Sequence, residues 1–186
     1  MGTRNITAVF HEGKYKLAQY GQWDGSPEVQ GVTCLEFVKK IVCNCCLENF
    51  VKNLDKIRLL KESDPNPTQE ESDWSKEYWT RDNGAKILQK IFDCQEPEKI
   101  IVKDEIKFCG DSFMCEWSYV IDLDRKFLEV YKGFNKKPLS SQDRFFPFKN
   151  EKFEPYQPVR KIIEFSFSDL PSGNDFIELC SKANDN

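Results

Sequence analysis

The sequence predicts an α+β fold: an antiparallel sheet of about five strands, made of two hairpins and a C-terminal strand, packed by about four helices. Three observations lead there. Two stretches of alternating apolar and polar residues, over 4–22 and 116–131, each fold back through a turn of Gly or Asp composition. Helical spacing of apolar residues occupies most of the interval between them. The regular alternation of strand and helix that makes a doubly wound parallel sheet is missing. With 186 residues, fifteen Phe and four Trp, one domain over 1–186 has the length and the apolar material for a single core.

The first strand is expected over Arg4 to Phe10, with Ile6, Ala8 and Phe10 on one face, and the second over Tyr15 to Gln22, joined by His11-Glu12-Gly13-Lys14. The loop from Trp23 to Gly31 is rich in turn formers and ends the ladder. Thr33 followed by Glu36 reads as a capping box, which starts a helix with Leu35, Phe37, Val38 and Ile41 inward. The apolar phase restarts after Cys43 to Cys46, so a second helix begins at Leu47 and runs through Phe50, Val51, Leu54 and Ile57. Ser63 to Ser72 reads as a solvated loop. Asp82 is expected to cap a helix over Gly84 to Phe92. Ile100 to Val102 is a short strand, Glu116 to Asp122 and Phe127 to Tyr131 a second hairpin, and Arg160 to Phe167 a last strand. Gly133 to Pro158, with its prolines and Phe residues, reads as a long loop laid across the body. Ser172 caps a terminal helix that turns Phe176, Leu179 and Cys180 inward.

The 27 basic and 31 acidic side chains give a net charge of −4 and are interspersed, so no basic run offers a track for a phosphate backbone. Nucleic acid is therefore not expected as a partner. Neither is a membrane, because no apolar stretch is long enough to span one. The N-terminus lacks an apolar secretory segment, which makes the expected location cytoplasmic. In that reducing setting the eight Cys are expected to be buried or half-buried free thiols. Their spacing, with a single His11, does not match paired zinc ligands, and no cofactor motif is present, so neither metal nor cofactor is expected.

Chemistry concentrates in three stretches. Tyr20-Gly21-Gln22-Trp23-Asp24-Gly25 puts an amide, an indole and a carboxylate at a strand end, where Trp23 stacks on a ligand and Gln22 and Asp24 hydrogen-bond it. Gly110-Asp111-Ser112 and Cys115-Glu116-Trp117 bring two more carboxylates and a second indole. Thr80-Arg81-Asp82-Asn83-Gly84 offers Arg81 and free backbone N–H groups to an anion. The ligand-binding candidates are Arg4, Gln22, Trp23, Arg81, Asn83 and Trp117. The catalytic candidates are Asp24, Asp111 and Glu116, should two of them converge for acid–base work. An ordinary turn or strand-end role explains each stretch equally well from sequence alone.

Four segments carry a resemblance: Met1 to Arg4, Tyr20 to Gly31, Thr80 to Leu88, and Cys115 to Asp124, continued by Glu129 to Asn135. With its M-G-T-R opening, Y-G-Q-W-D-G loop and C-E-W-x-Y-V-I-D-L-D segment, the chain resembles a family of uncharacterised proteins of phages and bacteria, sporadic in fungi and other eukaryotes. Ser26 stands where those relatives carry Tyr, and Glu28-Val29 where they carry Ser-Gly. The resemblance implies no particular activity. The paired hairpins are also similar in layout to N-terminal-nucleophile amidohydrolases. That likeness would require a processed first residue as nucleophile; Gly2 has no side chain, and only a further cut would free Thr3. Two functions follow as expectations. The first is a binding module for a small polar ligand or a protein partner; the other is a metal-independent hydrolase of amide or glycosidic bonds using a carboxylate pair.

Overall fold

A computed structural model describes residues 2–184 and shows an α+β fold. In chain order its elements are β1 (Asn5–His11), β2 (Lys14–Gly21), α1 (Val32–Cys43), α2 (Leu47–Leu54), β3 (Arg58–Leu60), α3 (Gln69–Ser75), α4 (Lys86–Asp93), β4 (Ile101–Lys103), β5 (Trp117–Asp122), β6 (Phe127–Lys132), β7 (Arg160–Ser166) and α5 (Gly173–Asn184). Five strands make one sheet in the order β2-β1-β5-β6-β7, and β3 and β4 pair separately in parallel.

Three seams of the main sheet are antiparallel, as expected, but the seam joining the two hairpins is not. β1 runs parallel to β5, from Asn5 opposite Trp117 to Phe10 opposite Asp122. The sheet is therefore mixed. The hairpins lie side by side pointing the same way, so both turns sit at one end and the starts of β1 and β5 meet at the other.

The turn end is tied by one carboxylate. Glu12 and Gly13 have φ of 52° and 71°, the left-handed pair of a tight two-residue hairpin turn, where Gly carries no steric cost. Asp124, in the turn of the second hairpin, accepts the N–H of Glu12 at 2.8 Å and of Gly13 at 2.9 Å, and lies 3.1 Å from His11 Nδ1. Leu123 N–H donates to the Phe10 carbonyl at 2.9 Å beside it. The bonds from Gly13 and Glu12 hold the Asp124 carboxyl below its ordinary pKa. A depressed carboxyl stabilises the fold in full above its unfolded value, and that contribution is lost as pH falls through the folded value. Asp124→Asn should therefore lower the urea midpoint at neutral pH and reduce its dependence on pH below the aspartate range; a variant with an unchanged acid limb would show that the link does not persist in solution.

Alternation along the strands divides the core. Val9, Leu17, Tyr119, Ile121, Leu128 and Val130 face the helices, where they pack with α1, α2, α4 and α5. Ile6, Ala8, Ala18, Val120 and Tyr131 face the opposite way and are covered by the 106–110 turn and by Phe145 and Phe148 of the segment between β6 and β7. That segment does cross the body, as its composition suggested.

Several local expectations shift. The chain is already helical before Thr33: a π-helical turn over Pro27–Gly31 runs straight into α1, and the Thr33 hydroxyl bonds the Val29 carbonyl instead of capping. Gly31 lets this turn pack closely, since a Cβ there would lie 2.8 Å from the Phe176 ring and 3.0 Å from that of Tyr119. The capping box of the chain is Thr68 with Glu71, opening α3 inside the stretch read as a loop. α2 stops at Leu54, short of Ile57, and residues 58–60, to which the sequence reading gave no element, form β3 by pairing with Ile101–Lys103. Asp82 does not cap α4, whose first residue follows Ala85. Ser172 does cap α5, taking the Asp175 N–H at 3.2 Å, although Leu179 faces solvent. All eight thiols are free; Cys34, Cys109, Cys115 and Cys180 are buried, whereas Cys43 and Cys45 are exposed at the α1–α2 junction. Among the described residues no helix is long and apolar enough to cross a membrane. No group of three or more His, Cys, Asp or Glu is placed there to hold a metal ion.

Candidate functional site

The parallel seam gathers the expected stretches at one rim, where β1 and β5 begin and β2 and β6 end. Arg4 and Glu116 precede the two parallel strands and bond each other: Glu116 N–H donates to the Arg4 carbonyl at 3.0 Å, and Arg4 N–H to Glu116 Oε1 at 3.3 Å. Past the end of β2, Gln22 N–H donates to the Arg81 carbonyl at 2.9 Å, and Gln19 Nε2 reaches the Thr80 carbonyl at 3.4 Å. The 80–84 turn is thus stitched to the sheet 60 residues from it in sequence.

Between these two ties stands Tyr20. Its hydroxyl donates to Gln22 Oε1 at 2.7 Å, which leaves the Gln22 amide NH2 without an acceptor among the described residues. Burial raises the phenol pKa against the opposing pull of the Arg4 and Arg81 guanidinia, so both cations act on the same ring. The guanidinium of Arg81 is exposed and unpaired. That of Arg4 is half-buried, and its Nε is cut off from solvent with no hydrogen-bond partner among the described residues.

Beside Tyr20 a cleft of about 410 Å³ is lined by Gln22, Trp23, Trp79, Thr80, Arg81 and Asp82. One wall is rigid, because Trp79 Nε1 donates to the Ile101 carbonyl at 2.8 Å. The other is Trp23, whose indole is 50% exposed while its carbonyl takes hydrogen bonds from Asn5 and Gln30. The backbone at this wall is pinned, and the ring, packed against Gly2 on one side, offers its exposed half to a ligand.

The remaining candidates have other employment. Asn83 is buried and its Nδ2 donates to the Glu77 carbonyl at 2.8 Å, so it builds the turn and does not line the cleft. Trp117 is buried against the helix-side core, with the Lys132 ammonium 4.1 Å above its ring. Asp24 has φ of 54° and an exposed carboxylate, and its carbonyl accepts the Gln30 N–H. Asp111 is a turn residue: its carboxylate takes the Met114 N–H at 3.2 Å and its carbonyl that of Cys115 at 2.7 Å. The Glu116 carboxylate takes the Arg4 N–H. No hydrogen bond joins any two of these three carboxylates among the described residues.

A second polar constellation, which the sequence reading did not single out, lies toward the turn end of the outer face. Asp122 and Glu129, each with a side chain only 1% exposed, sit on the adjacent strands β5 and β6. Arg144, from the crossing segment, bridges them through Nη2 to Asp122 and through Nε to Glu129 Oε2 at 2.7 Å. Arg125 completes the pairing with its N–H to Asp122 at 2.8 Å and Nη1 to Glu129 at 2.9 Å, and the Tyr131 hydroxyl donates to Glu129 at 2.9 Å. Burial depresses the Arg144 pKa, but Glu129 and Tyr131 outweigh it and hold the group firmly cationic. Every charge here has an internal partner, which is the pattern of a strap that fixes the crossing segment. The available signal was Glu129 itself: a carboxylate between Leu128 and Val130 in a buried strand requires a cation. No family model, curated protein or solved structure matches the chain.

Proposed function

We propose that this protein is a binding module for a small anionic ligand with a flat apolar part, held at the rim by Arg4, Gln22 and Arg81 and stacked on Trp23. The observation that carries the reading is Arg4, a half-buried cation with a solvent-excluded Nε and no acceptor. A guanidinium taken partly out of water without a partner is unfavourable, and a carboxylate or phosphate that meets its solvent-facing Nη groups offsets that cost. Arg81 supplies a second cation acting on the same Tyr20 phenol, and the Gln22 NH2 a neutral donor beside it. The cleft volume falls in the range of small-molecule sites. The hydrolase alternative requires two carboxylates aimed at one point, and Asp111 and Glu116 each already serve a backbone N–H.

Titration calorimetry with benzoate and with inorganic phosphate tests this. Benzoate should bind more tightly than phosphate, because only it has a ring for Trp23. Arg4→Gln and Arg81→Gln should each weaken it by about tenfold or more, the size of a lost charged hydrogen bond. Trp23→Ala should remove the preference for benzoate while leaving the melting temperature within about two degrees, since an exposed ring contributes little to stability. Absence of binding by both anions, or benzoate affinity indifferent to Arg4→Gln, would overturn the assignment.

A further inference from the structure

Next to the rim, on the β6 side, the fold displays two exposed aromatic rings with a third, half-buried, against them. Phe113 is 50% and Phe134 47% exposed, their rings meet edge-on at 6.2 Å, and Tyr156 tilts against Phe113 at 5.0 Å. Lone exposed apolar residues are ordinary, but a contiguous aromatic group drawn from three separate segments is not.

The exposure is enforced from beneath. Phe134 has φ of 54°, a left-handed backbone that a bulky side chain adopts only under constraint. Its N–H donates to the Ser112 carbonyl at 2.6 Å. The next residue, Asn135, is 3% exposed and fully engaged: its N–H goes to Ser112 Oγ at 3.1 Å, its Nδ2 to the carbonyls of Lys137 and Pro158, and its Oδ1 receives the Lys137 N–H. Before it, Gly133 lies against the backbone carbonyls of Cys115 and Ser112 and has no room for a Cβ. A buried polar clamp thus holds a left-handed residue with its ring outward.

Two ammonium groups flank the rings. Lys132 Nζ lies 5.7 Å from the Phe134 ring centre and Lys136 Nζ 5.2 Å from that of Tyr156, and neither ammonium has an ion pair among the described residues. The nearby Glu116 and Asp111 carboxylates are bonded to backbone N–H groups. Burial holds the Lys132 pKa down while Glu116 pulls it up, so a further carboxylate brought beside this ammonium would be favoured.

We propose that Phe113, Phe134 and Tyr156, with Lys132 and Lys136, form a docking surface for an extended acidic segment of a partner protein. An apolar side chain of that segment seats against the Phe pair, and flanking Asp or Glu residues meet the two ammonium groups. Single-stranded nucleic acid also combines stacking with negative charge, but it needs a cationic track, and a chain of net charge −4 with two lysines at this patch does not supply one.

A random-peptide display selection against the full chain, followed by fluorescence anisotropy with the enriched peptides and with a labelled oligothymidylate, tests the surface. The expected consensus is an aromatic or branched apolar residue flanked by at least two acids. Phe134→Ala should weaken the selected peptides by at least about tenfold, as for an interface anchor. Lys136→Glu changes only an exposed side chain, and it should weaken them similarly with an unchanged melting temperature. Arg4→Gln should leave peptide affinity intact, which separates this surface from the anion site. No enrichment, a basic consensus, peptides indifferent to both Phe134→Ala and Lys136→Glu, or tighter binding of the oligothymidylate would each overturn the proposal.

Discussion

Arg144→Ala should lower the free energy of unfolding by about 3–5 kcal/mol, the cost of leaving buried charge without its partner. Asp122 and Glu129 have side chains 1% exposed and share this one guanidinium. After its removal Asp122 keeps only the Arg125 N–H and no cation, while Glu129 keeps Arg125 Nη1, the Lys161 ammonium at 3.6 Å and the Tyr131 hydroxyl, so most of the loss falls on Asp122. Arg144→Lys should recover a minor part of the loss, since one ammonium does not reproduce a planar fork that reaches two carboxylates from Nε and Nη2. Adding Asp122→Asn and Glu129→Gln to Arg144→Met should restore stability relative to Arg144→Ala, because neutral amides no longer need the cation. Urea unfolding at constant slope reads all four chains. A loss below about 1 kcal/mol for Arg144→Ala, the range of exposed pairs, would mean that water reaches the two carboxylates.

Phe145→Ala should cost a comparable amount, about 3–5 kcal/mol, through the cavity left by a large buried ring. Phe145 is fully buried, packs edge-on against Tyr131 at 4.7 Å, and contacts Phe148 at 6.1 Å. It belongs to the smaller core, with Ile6, Ala8, Val120 and Val159, which the crossing segment covers and no long helix backs. Loss of the ring should therefore loosen 133–159 selectively. Hydrogen exchange should accelerate in that segment and along the outer face before α1 and α4 are affected. The Arg144 and Phe145 substitutions touch adjacent residues of one strap, so their combined effect should be smaller than the sum. Uniform acceleration across the chain, or full additivity, would show that the segment is not a separate unit of stability.

These effects lie where the sequence was hardest to read. Glu129 announced a buried charge, but its partner sits 15 residues away in an irregular segment whose path no periodicity encodes. The two capping boxes make the same point. Thr33 with Glu36 and Thr68 with Glu71 have equal local merit, yet only the second forms, because the chain is already helical from Pro27 when Thr33 is reached. At the candidate site the residue types were legible and their employment was not. Gln22, Trp23 and Arg81 line the cleft, Asn83 and Trp117 turned inward, and Asp111 and Glu116 found backbone donors.

Sequence alone determined the elements whose interactions are local: both hairpins, the break between α1 and α2, the Ser172 cap, and an α+β composition with no helix among the described residues long and apolar enough to cross a membrane. Turn geometry, strand alternation and helix capping act within a few residues, so their causes lie within reach of any short window. The tertiary structure decided the parallel seam of β1 with β5, which lines up positions 112 residues apart and thereby assembled the rim, and it decided the path of 133–159, which brings Tyr156 to Phe113 and Arg144 to the two buried carboxylates. A pairing between distant strands depends on loop closure, shared core packing and the partners left for buried charges, and these are properties of the folded whole.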